Sequence, residues 1–306
     1  MASKEAEGQT ALIVVDMQND FVSPGGALYS PAADRVIPNI VSLVARARQR
    51  GLQVIFTQDW HRRRDAEFGI WPPHAVEGTW GAEFHSALTP QEDDLVVRKR
   101  TYNAFFGTEL DQLVRQRRIR RMVFSGTVSN ICVLNTAGDA ALRGIQVVMP
   151  QDAVISLTEF DHQATLRQVS YVYRGTVTTV ECAFGEEAAP VDLKTDAPPP
   201  QVEIEEGIIL PAERTALIVV DMQNDFATEG GALYVPATQP TLVPIAELVR
   251  AARRSGAMVI FTQDWHRPDD SEFAIWPKHC VGGTFGAEVA KAVGPSRGDH
   301  FVRKRR

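Results

Sequence analysis

Three side chains of complementary chemistry each follow a short apolar run: Asp16 in VVDMQNDF, Lys99 in VVRKR and Cys132 in GTVSNICV. A thiolate is a nucleophile, a carboxylate beside it can take and return a proton, and an ammonium steadies the charges that result. Taken singly, each has an ordinary reading: a packed thiol, a turn carboxylate, a solvated charge run. Placed after three separate strands of one sheet, they point to a shared site for acyl transfer. Cys132 also precedes a helix, whose positive end lowers a thiol pKa, so a thiolate is expected there.

A second constellation is Asp59, His61 and His74, with Glu67 between the histidines. On extended chain, residues two apart point to the same side. Two imidazoles and a carboxylate suit a divalent transition metal with open coordination positions. The ordinary alternative is a turn aspartate with two surface histidines.

These residues need a scaffold that brings distant segments to one edge. Ala11–Val15, Val54–Thr57, Leu95–Val97, Arg121–Ser125, Gln146–Met149 and Thr176–Val180 read as strands. Between them, Pro38–Arg50, a segment capped by Thr108, Val133–Arg143 and Thr158–Tyr173 read as helices. This alternation predicts an α/β fold: a doubly wound, mostly parallel six-stranded sheet with helices on both faces. Sites in such sheets form at the carboxyl ends of the strands, where Asp16, Asp59, Lys99 and the Cys132 loop fall.

The chain then repeats itself. ALIVVDMQNDF at 11–21 returns at 216–226, and FTQDWHR, the EF-x-IWP-x-H segment and VRKR return at the same offset of 205. The period is too long for a solenoid and marks duplication of a domain. Nothing matches Thr101–Cys182, so the second copy has Asp264, His266 and His279 but no nucleophile; Cys280 aligns with Ala75. The expected organisation is a complete domain over 9–184, a Pro- and acid-rich linker over 185–212, and an incomplete second copy over 213–306 that reads as a truncation.

Composition sets outer bounds. The 306 residues suit about two domains, with 44% hydrophobic and 23% charged residues, as in ordinary globular proteins. A net charge of −6 gives no general pull toward nucleic acid or anionic membranes. No run is long and apolar enough to span a bilayer, and Met1–Thr10 lacks the apolar core of a secretory signal. Three widely spaced cysteines suit a reducing compartment, so a cytoplasmic protein is expected.

The ordered motifs ALIVVDMQNDF, TQDWH through EFGIWPPHAVEGTWGAEF, RKRTYNAFFGTEL, GTVSNICVLNTAGDA and QDAV, over about 9–182, resemble the isochorismatase-like cysteine hydrolases, and within them the nicotinamidases. The resemblance implies a catalytic triad of Asp16, Lys99 and Cys132, and an oxyanion hole from the backbone N–H groups of Val128 and Cys132. It implies metal ligation by Asp59, His61 and His74, with Glu67 at a position that sometimes supplies another ligand. Zinc is the expected metal, with iron or manganese as alternatives, and no organic cofactor is implied. Phe21, Trp71 and Tyr102 would flank a pyridine ring, a cis peptide would join Thr127 to Val128, and the first strand would lie beside the fourth. The implied activity is hydrolysis of nicotinamide to nicotinate and ammonia through a thioester, a step of NAD salvage. The implied partner is a small amide, without nucleic acid or membrane; a homo-oligomer is compatible with the pattern. Two departures stand out: Ser129-Asn130 where nicotinamidases often carry Thr-Asp, and Ala75 where a cysteine is frequent. They keep open an amidase for a ureido or carbamoyl substrate. For the second copy, the alternative is a non-catalytic metal-binding or oligomerisation module.

Overall fold

The computed structural model describes residues 9–185, 201 and 210–305, which fall into two units divided between Gln201 and Val202. Most of the expected linker, and the N-terminal residues 1–8, lie outside the described residues.

The first unit is built on β1 (Thr10–Val15), β2 (Gln53–Asp59), β3 (Leu95–Lys99), β4 (Arg121–Thr127), β5 (Gln146–Pro150), β6 (Val154–Ile155) and β7 (Thr176–Thr178). The strands are parallel in the order β3-β2-β1-β4-β5-β7. The two-residue β6 pairs with the end of β4 as a seventh strand, too short to stand out as an apolar run. Val15 is in register with Thr57 on one side and Gly126 on the other, so the chain leaves β1 at the point where strand order reverses. A crevice at that point is where open α/β sheets place ligands.

The uninterrupted apolar run of β1 has a direct cause. Leu12 and Val14 face one core, where α1 (Ala33–Gln49) packs Ile40, Leu43 and Ala47. Ala11, Ile13 and Val15 face the other, with Ala137 and Ala140 of α3 (Leu134–Leu142) and Leu166 and Val169 of α4 (Glu159–Tyr171). Alternate residues therefore fill opposite layers, and all are fully buried. Removing one such side chain, as in Ile13→Ala, costs about 2–5 kcal/mol. Helix α2 (Leu110–Gln116) begins where Leu110 N–H donates to Thr108 Oγ1, and α4 begins where Asp161 N–H donates to Thr158 Oγ1. Helix α1 starts five residues before Pro38, because burial of Ala33 and the packing of Val36 and Ile37 carry the helix through the proline.

The second unit holds β8 (Ala216–Val219), β9 (Met258–Asp264), β10 (His300–Lys304) and α5 (Gln239–Ser255). Its three parallel strands run β10-β9-β8 around a small core of Val219, Val249, Val259, Phe261, Val289 and Val293. Among the described residues β8 is an edge strand. Ile218 and Val220 are 56% and 60% exposed, whereas their counterparts Ile13 and Val15 are completely buried. Among the described residues, no helix is long and apolar enough to cross a membrane.

Candidate active site

Three strand ends deliver the three groups. Asp16 follows β1 with φ 51°, a left-handed conformation uncommon outside glycine. It is pinned by Thr57 on β2: its N–H donates to the Thr57 carbonyl and hydroxyl oxygens, and Thr57 Oγ1 donates to Asp16 Oδ1 at 2.6 Å. Lys99 ends β3 and reaches across β2. Its Nζ lies 2.5 Å from Asp59 Oδ1, 2.7 Å from Asp16 Oδ2 and 3.6 Å from Cys132 Sγ. Cys132 sits in the wide turn Ser129–Val133, where Val133 N–H donates to Val128 O at 3.2 Å. That turn follows a cis peptide between Thr127 and Val128, as the resemblance implies. The preceding Gly126 has φ 115°, and a Cβ there would collide with the Val15 carbonyl, so β4 approaches β1 this closely only with glycine.

The electrostatics correct one expectation. Burial pushes the Cys132 thiol well above its ordinary pKa; Lys99 opposes this, while Asp16 and Asp59 add to it. The resting sulfur is therefore a neutral thiol, because full desolvation between two carboxylates outweighs the lysine and the helix end. Burial also raises Asp16 to about 6 against the pull of Lys99, with Asp59 adding to the rise. For Lys99 burial works downward, but Asp16 and Asp59 outweigh it and keep the ammonium charged. The site thus pairs a neutral thiol with a carboxylate that is ionised near neutrality, which suits proton transfer during attack.

Cys132 opens onto a narrow cavity of about 90 Å³, well below the volume of a drug-sized site, so its occupant is small. Asp16, Asp59, Glu67, His74 and Val128 line it, together with Phe21, Trp71 and Tyr102. Trp71 Nε1 donates to the Tyr102 hydroxyl at 2.9 Å, bracing the two rings against each other.

Asp59, His61 and His74 bring one ligand atom each to within 4.8 Å of one another. His61 Nδ1 donates to Asp65 Oδ2 at 3.0 Å, and His74 Nδ1 donates to the Pro72 carbonyl at 2.7 Å. Both Nε2 atoms are therefore left with lone pairs. His61 Nε2 is buried without a hydrogen-bond partner and lies 3.9 Å from Asp59 Oδ2. Burial lowers the pKa of His61 despite Asp65, which keeps the ring neutral. An orphaned buried nitrogen, a second imidazole and a carboxylate form a donor set that fits a divalent metal. Glu67 Oε1 lies 3.8 Å from His74 Nε2 and is close enough to join.

Sequence reasoning missed Asp65 and Arg100. Arg100 donates to both oxygens of Asp65, whose pKa it holds below the ordinary carboxylate range. The signal was present: a carboxylate four residues after His61, and an arginine beside Lys99. In the second unit Asp264, His266 and His279 converge within the same 4.8 Å. Cys280 is buried there, its thiol pKa raised by burial, and its Sγ faces the Gly286 carbonyl at 3.8 Å.

The isochorismatase domain model matches residues 10–182 and 215–306. Ureidoacrylate amidohydrolase RutB of Klebsiella pneumoniae is 34% identical over 217 residues, covering 61% of this chain and 92% of that protein. The crystal structure of nicotinamidase PncA from Bacillus subtilis superposes with a TM-score of 0.53 at 33% identity, covering 55% of this chain and 98% of that one. Pyrazinamidase of Pyrococcus horikoshii in complex with zinc gives 0.53 at 32%, covering 56% and 99%. With its sheet order, its Asp-Lys-Cys cluster and a match over most of its length, the chain belongs to the isochorismatase family.

Proposed function

We propose that the first unit, residues 9–184, hydrolyses nicotinamide to nicotinate and ammonia, and that residues 213–306 take no part in that chemistry. The observation that carries this reading is the orphaned His61 Nε2 in a metal-type donor set beside the same aromatic-lined cavity that holds Cys132. A metal held by Asp59, His61 and His74, with Glu67 in reach, would supply a Lewis-acid anchor for a ring nitrogen. Phe21, Trp71 and Tyr102 line the same cavity and would enclose the flat ring.

Cys132 Sγ attacks the carboxamide carbon as its proton passes to Asp16. The new oxyanion is received by the backbone N–H groups of Val128 and Cys132. Asp16 returns the proton to nitrogen, the C–N bond breaks, and ammonia leaves a thioester. Water then adds to that carbonyl carbon and gives a proton to Asp16. The C–S bond breaks, releasing nicotinate, and the proton returns to the sulfur. Lys99 keeps Asp16 and Asp59 paired throughout.

A second reading is a ureido substrate, supported by the 34% identity to ureidoacrylate amidohydrolase. Ammonia release measured on nicotinamide, pyrazinamide and ureidoacrylate, with and without chelator, separates the two. Turnover of the pyridine amide that collapses on chelation supports the first. Turnover of ureidoacrylate alone, indifferent to chelator, replaces it with the second.

A further inference from the structure

The donor cluster of the second unit has a geometry that repetition of sequence alone does not guarantee. Asp264 ends β9, and His266 and His279 lie in the loop that follows, so the cluster is complete within residues 264–281. The loop is closed by His266 N–H donating to Cys280 O at 3.0 Å and Gly282 N–H donating to His266 O at 2.9 Å. The two imidazole rings meet edge to face at 4.8 Å, the separation found between His61 and His74. Phe273 packs its edge against both, as Phe68 does in the first unit.

Several of its polar atoms are left unpaired. His266 is 2% exposed, and neither ring nitrogen has a hydrogen-bond partner. His279 Nδ1 donates to the Pro277 carbonyl at 2.7 Å, which turns the Nε2 lone pair toward Asp264 Oδ2, 3.9 Å away. Glu272 Oε2 is also buried without a hydrogen-bond partner. Lys304 occupies only the other Asp264 oxygen. A buried imidazole left unpaired is a cost to folding that a bound cation removes.

We infer that the second unit holds a divalent metal of its own on Asp264, His266 and His279, with Glu272 within reach, in a cluster that has no counterpart of Cys132 among the described residues. Two imidazole nitrogens and a carboxylate select a zinc-type ion over calcium or magnesium. The site is weaker than its counterpart in the first unit. Asp270 Oδ2 stands 3.3 Å from His266 Nδ1 without forming a hydrogen bond, and among the described residues no guanidinium holds it, whereas Arg100 fixes Asp65 on His61. Loss of such an orienting partner lowers metal affinity by about 10–100-fold.

The test titrates Zn²⁺ into the metal-stripped full chain against a chromophoric chelator. Two equivalents are expected, the second about 10–100-fold weaker. His266→Ala and, separately, His279→Ala should each retain only the tight equivalent, with amidase activity unchanged. His61→Ala should retain only the weak one, which tests the second site with its own residues intact. A wild-type chain that binds one equivalent, or a His61→Ala chain that binds none, overturns the inference. Loss of the weak equivalent alone leaves the reading of the first unit standing. A His61→Ala chain that kept the tight equivalent would instead strike at the first unit's ligand assignment.

Discussion

Asp59 and Lys99 meet at 2.5 Å, Oδ1 to Nζ, and this contact joins two constellations that look separate in sequence. The same lysine holds Asp16 and approaches Cys132, while the other Asp59 oxygen faces His61. Asp59 → Asn therefore disturbs both. It should lower metal content and turnover together, whereas His61→Ala should release metal while leaving the Lys99–Asp16 pair intact. In His61→Ala the loss should fall mainly on KM, since an anchor for bound substrate contributes alike to ground and transition states. Metal content and steady-state kinetics on the two variants check this; a chelator-stripped enzyme with unchanged kinetics would refute the ligand assignment.

The base assignment has a pH signature. Asp16 must be ionised to accept the thiol proton, and its pKa is pushed up to about 6, first by burial and further by Asp59. A carboxyl pKa raised in this way leaves the base half ionised near pH 6, nearly fully present a unit above and progressively lost below. The kcat/KM profile should thus fall roughly tenfold per pH unit below about 6. An unperturbed aspartate would keep the profile flat to about pH 4. Asp16→Asn should lose at least ~10²-fold in kcat and abolish this acidic limb.

The nucleophile can be isolated from the other thiols. Cys132→Ala should abolish turnover, and Cys182→Ala and Cys280→Ala should leave it intact. Retention of activity within about tenfold in Cys132→Ala, only ~1.4 kcal/mol of transition-state stabilisation, would defeat the mechanism. Because the resting sulfur is a neutral thiol, iodoacetamide should label Cys132 of the free enzyme slowly at pH 6.

Much of this is legible in the sequence, and the reasons are physical. β1 reads as a doubly buried strand because its alternate residues enter two cores, so no polar position interrupts the run. The Asp59–His61 spacing is visible because strand geometry puts both on one side. The charge state of Cys132 was not legible. A helix end is a local feature, but the desolvation and the two facing carboxylates come from β1 and β2, far away in sequence. The Asp65–Arg100 pair was hidden for the same reason: it forms only when the end of β3 folds beside the loop after β2.

That pair yields a prediction of its own. Asp65 orients the His61 ring and keeps Nδ1 protonated, so that Nε2 faces the donor cluster. Asp65→Ala should weaken zinc binding to the first unit by about 10–100-fold without unfolding it. Arg100→Ala should act in the same direction and less strongly, since His61 would still have its carboxylate. Equal zinc affinity in Asp65→Ala and wild type would show that packing against Phe68 orients the ring instead.

The last prediction concerns the edge of the second sheet. The second copy repeats the ALIVV run of β1, but among the described residues β8 pairs only with β9, and Ile218 within it and Val220 just after it stay exposed. An exposed apolar strand edge is a template for pairing with other chains. The described core of this unit is also small, six fully or nearly buried apolar side chains with Phe261 among them. Residues 213–306 in isolation should therefore be unstable or aggregate, and a chain ending near residue 185 should keep its amidase activity and gain solubility. Substituting Ile218→Lys and Val220→Lys in the full chain places charge along the open edge, a device natural edge strands use. Light scattering on heating should fall in that variant while turnover, which rests on the first unit, stays the same. If residues 213–306 instead gave a soluble monomer with a cooperative thermal transition, the open edge would not be a liability. The second unit would then stand as a domain in its own right.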